Sequence, residues 1–224
     1  MTRMRIAPSR YVKIRRARRT PLLALLAVAA VGLIALAASA LFAASSPAAA
    51  AEPATSTPRS EWHAGEVPYL YQTDPAWSQE PYAGGTVEKN GCGPTCLSMA
   101  YVALTGRTDL DPAQMAAFAE RGGYVQDGMS TWTLMSEGAE QLGLSSEELP
   151  ADADVVRAAL SAGKVVICSV RPGDFTSAGH FIVLAGLTED GEVEVRDPNS
   201  AARSHAWDPD RVLGQCANLW ALSA

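Results

Sequence analysis

The chain predicts an α+β domain, with helices in its first half and a small antiparallel sheet in its second. Three observations carry that reading. Apolar residues recur at helical spacing through Leu97, Ala100, Tyr101 and Leu104. Three short apolar or alternating runs then follow between Lys164 and Arg196, the last two joined by Glu189-Asp190-Gly191. Runs of helices succeeded by runs of strands are the pattern of an α+β fold.

Along the domain, Val67 to Gln72 reads as a short extended piece leading to Asp74-Pro75-Ala76-Trp77, and Tyr82-Ala83-Gly84-Gly85-Thr86 carries turn residues. A helix opens after Cys92. Pro94 suits its first turn, the 97/100/101/104 stripe faces inward, and Gly106 stops it, so this helix is expected to be central and buried. Asp111-Pro112-Ala113-Gln114 combines a cap, a first-turn proline and a capping-box glutamine, with Gly122 as the stop. A third helix is expected from about Thr131, with Trp132, Met135, Ala139 and Leu142 on one face. A fourth runs from about Ala153 to Ser161 and ends at Gly163. Strands follow at 164–170, 180–187 and 192–196, and Asn218 to Leu222 reads as a closing strand.

The residues before this domain belong to another physical class. Eight bases and no acid precede Thr20, and 22–44 is an uncharged run of Leu, Val, Ile and Ala. As a helix that run spans roughly 35 Å, against about 30 Å for a bilayer core. With the alanine tract that ends at Ala51, it has the order of a secretory signal, although it exceeds the 7–15 apolar residues usual in a cleaved one. Two readings stay open, cleavage near Ala51 or an uncleaved anchor. Both put the domain outside the cytoplasm, secreted or anchored to the outer face of the cytoplasmic membrane. Residues 1–51 are thus a targeting segment, 52–62 a Pro- and Thr-containing linker, and 63–224 the domain.

The first acid is Glu52, so beyond the targeting segment 10 of the 18 bases face all 24 acids. That balance argues against a nucleic-acid partner, whose phosphates want a basic face. The acidic surface suggests tolerance of basic peptides. No second pair of cysteines or histidines completes a zinc-ligand set, Gly84-Gly85 lacks the pattern of a phosphate loop, and no cofactor is expected.

Four residues suit a thiol active site: Cys92, Gln72, His180 and Asp197. Only a thiolate attacks a carbonyl efficiently, and the unpaired N–H groups of a helix start, equivalent to about half a positive charge, favour that form. Cys92 has this position between Gly91 and Gly93. His180 begins an apolar strand and Asp197 closes the next; the turn between those strands brings the two residues together at its open end. In such a set the imidazole is the base, the carboxylate orients it, and the Cys92 amide with the Gln72 side chain is positioned for an oxyanion. Taken singly, three have a plainer reading, as a small buried thiol, a satisfied core histidine and a turn aspartate, and Gln72 alone says almost nothing. Their order along the chain favours the site.

The segments Tyr71-Gln72-x-Asp74-Pro75-x-Trp77, Gly91-Cys92-Gly93-Pro94-Thr95-x-Leu97-Ser98-Met99-Ala100, Gly179-His180-Phe181-x-Val183-Leu184 and Asp197-Pro198 resemble the stand-alone branch of cysteine peptidase family thirty-nine. The best-known members of that family are the double-glycine leader peptidases of bacteriocin exporters. The likeness covers about residues 66 to 222. It implies a papain-like fold with Cys92 as nucleophile, His180 as base, Asp197 as orienting residue and Gln72 in the oxyanion hole. In the exporter enzymes the glutamine stands only a few residues before the cysteine, whereas here Gln72 and Cys92 are far apart in the chain. Those enzymes also face the cytosol, so cleavage after a double glycine is not carried over.

The expected activity is hydrolysis of a peptide or peptide-like amide through a thioester, by a monomer. Two alternatives are a cell-wall amide hydrolase or acyl transferase using the same residues, and an inactive relative that binds peptides. Cys96, one turn beyond Cys92, reads as packing; spacing alone does not decide whether Cys168 and Cys216 form a bridge. His63 and His205 read as bystanders.

Overall fold

A computed structural model describes residues 55–224. The expected targeting segment, 1–51, lies outside the described residues. Among those described, no helix is long and apolar enough to cross a membrane.

The packed domain begins earlier than the expected boundary at 63. Ser56 is buried and its hydroxyl accepts from the Tyr71 N–H, while Trp62 is buried and donates to the Thr57 carbonyl. The residues expected in the linker from 55 onward therefore brace the extended piece 67–72.

Two strands, β1 (Pro81–Tyr82) and β2 (Gly85–Thr86), form a hairpin whose turn residues Ala83 and Gly84 take φ of 52° and 72°. A one-turn helix α1 (Val87–Asn90) leads into α2 (Cys92–Thr105), which ends on Gly106 at φ 70°. As expected, α2 is central: Gly93 through Ala103 are all buried. Helix α3 (Pro112–Arg121) carries the anticipated capping box, with Asp111 accepting from Ala113 and Gln114 and Gln114 accepting from the Asp111 N–H.

The third helix departs from expectation. A hairpin of β3 (Val125–Gln126) and β4 (Met129–Ser130) turns at Asp127-Gly128, and a 3-10 turn Trp132–Leu134 follows. Only Glu137–Gln141, α4, is α-helical. Ser136, at φ −103° and ψ −84°, interrupts the helical path. Leu134, Met135 and Ala139 are buried as expected, but Trp132 is 49% exposed. Its indole donates to the Ser169 hydroxyl at 3.2 Å and meets Trp220 edge-on, which takes the residue off the inward face of any continuous helix.

After the edge strand β5 (Ser145–Leu149), helix α5 (Ala153–Ser161) starts on the Asp152 cap. Strands β6 (Val165–Val170), β7 (His180–Leu187), β8 (Val193–Arg196) and β9 (Ala206–Trp207), the short helix α6 (Pro209–Leu213) and β10 (Cys216–Ser223) complete the domain. The sheet is antiparallel in the order β5-β10-β6-β7-β8-β9, so the closing strand lies in its interior.

Both faces of the sheet are covered. Val165, Ile167, Phe181, Val183 and Trp220 join the core of α2 and α3, whereas Val166, Cys168, Ile182, Leu184 and Leu219 join that of α5 and α6. Burial on both faces explains why β6 and the first half of β7 read as continuous apolar runs. The result is three layers, with the start of α2 held against the starting end of β7.

Candidate active site

The structure brings Cys92, His180 and Asp197 together. Cys92 is the first residue of α2, next to the open end of the β7–β8 hairpin. Val183 pairs with Arg196 across that hairpin, so Asp197, one residue further on, comes level with the start of β7. The Thr188 N–H bond to the Glu192 carbonyl at 2.9 Å, with Gly191 at φ 81°, closes the turn that sets this register.

His180 Nε2 lies 2.8 Å from Asp197 Oδ1, and both side chains are buried. With Nε2 committed to the carboxylate, Nδ1 is the nitrogen left for the thiol. Burial pushes the Cys92 thiol up, but the hydrogen bond and charge of His180, with the N–H groups of Phe181 and Gly93, bring it below its ordinary value of 9.0. Burial pushes the imidazole down, yet its bonds to Asp197 and Cys92 reverse that and raise it from 6.5 to about 9. Both directions favour a thiolate beside an imidazolium.

Asp197 is held in turn. Oδ1 also accepts from the Asn199 N–H at 2.8 Å, and Oδ2 accepts from Arg203 Nε at 2.6 Å. Burial raises this carboxyl, and the bonds from His180, Arg203 and Asn199 bring it below its ordinary range. Ser204 Oγ accepts from the Asp197 N–H at 2.9 Å, closing residues 197–204 into a buckle. Arg203 was not singled out from the sequence; it lies six positions beyond Asp197 in a 3-10 turn, where no periodicity marks it.

Gln72 is buried beside this group. Its N–H donates to the Pro198 carbonyl at 2.7 Å, next to Asp197, and its Nε2 donates to the Glu88 carbonyl at 2.6 Å in α1. Oε1 has no partner. The side chain thus joins the turn after β8 to the helix before Cys92, with one Nε2 hydrogen committed to Glu88 and a second to spare.

Gly93 explains the glycine after the nucleophile candidate. A Cβ there would run into the hydroxyl and Cβ of Ser130 in β4, so only glycine allows this approach to the start of α2. In front of Cys92 and His180 opens a cleft of about 380 Å³, walled by Met129, Trp132 and Phe181.

The remaining cysteines play no part in it. All four are free. Cys96 is fully buried and its thiol is pushed well above 9.0, chiefly by burial, as suits packing. Cys168 and Cys216 lie on neighbouring strands, where Cys168 pairs with Leu219 and Cys216 with Val170. Burial, and then contact with Cys216, pushes the Cys168 thiol up as well.

The sequence model of the Peptidase_C39 like family matches residues 65–223, most of the chain. The chain belongs to the Peptidase_C39 like family. Its fold is accordingly α+β and papain-like, and its function is of the cysteine-peptidase type. Among solved structures, the chain is similar to the peptidase domain of Streptococcus ComA, a bi-functional ABC transporter involved in a quorum sensing pathway. That likeness has 17% identity, a TM-score of 0.45, and coverage of 60% of this chain and 92% of that one. No curated protein matches.

Proposed function

We propose that this member of the Peptidase_C39 like family is an exported thiol hydrolase that cleaves a peptide or peptide-like amide through a thioester on Cys92. The observation that carries the reading is the commitment of His180 Nε2 to a buried Asp197 at 2.8 Å, which leaves the other ring nitrogen for a thiol at a helix start. Placement outside the cytoplasm rests on the basic and apolar order of residues 1–51 alone.

In this mechanism the Cys92 thiolate attacks the carbonyl carbon and the carbonyl oxygen takes the negative charge. The Cys92 N–H and the spare Nε2 hydrogen of Gln72 stabilise that oxygen. The imidazolium of His180 gives its proton to the departing amine as the C–N bond breaks, leaving an acyl thioester. Neutral His180 then takes a proton from water, which attacks the thioester and releases the carboxylic acid with the thiolate restored. Asp197 keeps the ring in one tautomer and orientation throughout, and Arg203 holds Asp197.

Hydrolysis of an unbiased peptide library by wild type, Cys92→Ala and His180→Ala tests the reading. Wild type is expected to release fragments and both variants to lose that activity. Cleavage that survives Cys92→Ala unchanged would refute the assignment.

A further inference from the structure

The cleft in front of Cys92 gathers exposed apolar side chains and no acid. Among the described residues the large exposed apolar side chains are Tyr69, Met129, Trp132 and Val155, and two of these four wall the cleft. Trp132 is 49% exposed yet anchored twice, through its Nε1 bond to Ser169 and its edge contact with Trp220. Holding an indole half in water costs hydrophobic free energy, and a fixed rather than loose exposed indole is a preformed contact surface. Met129, 60% exposed at the end of the β3–β4 hairpin, extends the same wall with a side chain that adapts to irregular shapes.

Charge points the same way. No Asp or Glu lines the cleft, although acids outnumber bases 24 to 10 beyond the targeting segment; its single charged wall residue apart from the His180 site is the exposed Lys89. The acidic surface hinted at basic peptides, and the walls of the cleft offer them no partner. A methyl added at Gly179, beside His180, would meet nothing within 4 Å, so the cleft is open next to the imidazole.

The geometry points to a specificity site: a large, uncharged apolar side chain of the acyl half of the substrate, within two residues of the attacked carbonyl, seats against Trp132 and Met129. The acyl half is the part that stays bonded to Cys92 Sγ until water releases it, and Cys92 lines the same cleft as Trp132 and Met129. The inference rests on the proposed function and narrows its substrate class.

Peptidyl chloromethyl ketones test it on the full-length protein. Sγ displaces chloride from the probe carbon and forms a thioether, so Cys92 labelling is read by mass spectrometry without turnover. Iodoacetamide, which carries no side chain to seat, serves as the reference in every variant. Probes with Phe or Leu at one of their last two positions and Gly at the other are expected, for at least one of the two placements, to label Cys92 about tenfold faster, relative to iodoacetamide, than probes with Gly-Gly, or with Asp or Lys in the same place, the ratio given by partial burial of one apolar side chain. Trp132→Ala and, independently, Met129→Ser should each reduce that preference to about threefold or less. A Gly-Gly or Lys probe that reacts fastest, or a preference that survives both substitutions, overturns the inference. Should iodoacetamide itself label Cys92 no faster than it labels an ordinary thiol, the proposed nucleophile fails instead, and the specificity site falls with it.

Discussion

Replacing Arg203 by Gln removes a charged donor from a carboxylate that has no access to solvent. The Asp197 side chain is 0% exposed and that of Arg203 29%, and the Nε–Oδ2 contact is 2.6 Å. Two other donors, His180 Nε2 and the Asn199 N–H, remain, so the loss is that of one charge-assisted hydrogen bond rather than of every partner. Such a bond contributes about 2 kcal/mol, and partial exposure of the guanidinium keeps the figure from reaching that of a fully buried pair. For a domain of this size, about 2 kcal/mol lowers Tm by roughly 4–8 °C. The pH dependence separates this cause from general loosening. Arg203 helps hold the Asp197 pKa below its ordinary 3.8, so its contribution is present above that value and is lost as pH falls through the depressed one. Denaturant titrations of wild type and Arg203→Gln at several pH values should give a constant difference from pH 7 to about pH 5 and a shrinking one below about pH 4. Peptide hydrolysis should fall in the same variant, because a carboxylate free to turn no longer fixes the ring, and Arg203→Lys should recover part of both. A stability difference that persists unchanged at low pH, or none at pH 7, would refute the reasoning.

The raised imidazole sets an upper pH limit. His180 has its pKa lifted from 6.5 to about 9, so the stability tied to its proton is fully present below 6.5 and is lost as pH rises through about 9; hydrolysis rate and Tm should both decline there. Gln72→Ala is expected to lower kcat by about a hundredfold as an oxyanion donor is lost, with little change in Cys92 alkylation; an equal loss in both would assign Gln72 to holding the site rather than to the oxyanion. Gly93→Ala drives a Cβ into Ser130 and should cost about 1–3 kcal/mol in urea unfolding, part of which Ser130→Gly restores.

How much of this was legible in the sequence depended on how local the determining interactions are. The α2 start and stop, the capping box at Asp111 and the β7–β8 turn are set within a few residues, and all three lie where expected. Because that turn fixes register, the pairing of His180 with Asp197 followed from spacing. Trp132 did not follow, since its position is decided by Ser169 and Trp220 across the sheet, well beyond any window of periodicity. Arg203 was hidden for the same reason: its partner is fixed by how residues 197–204 fold back. Two further elements do carry local signals. Asp127-Gly128 is a hairpin pair, and Asp208-Pro209 repeats the cap and first-turn proline of Asp111-Pro112. Strand β5, Ser145–Leu149, is polar because it is an edge, and only its pairing with β10 makes it a strand.

Ultraviolet titration of the thiolate, taken as the difference between wild type and Cys92→Ala, tests the paired thiolate and imidazolium most directly. The account predicts that Cys92 ionises below 9.0 and that His180→Ala moves this ionisation upward, because burial is then opposed only by the Phe181 and Gly93 N–H groups. A thiol that titrates at or above 9.0 in wild type and is indifferent to His180→Ala would contradict it.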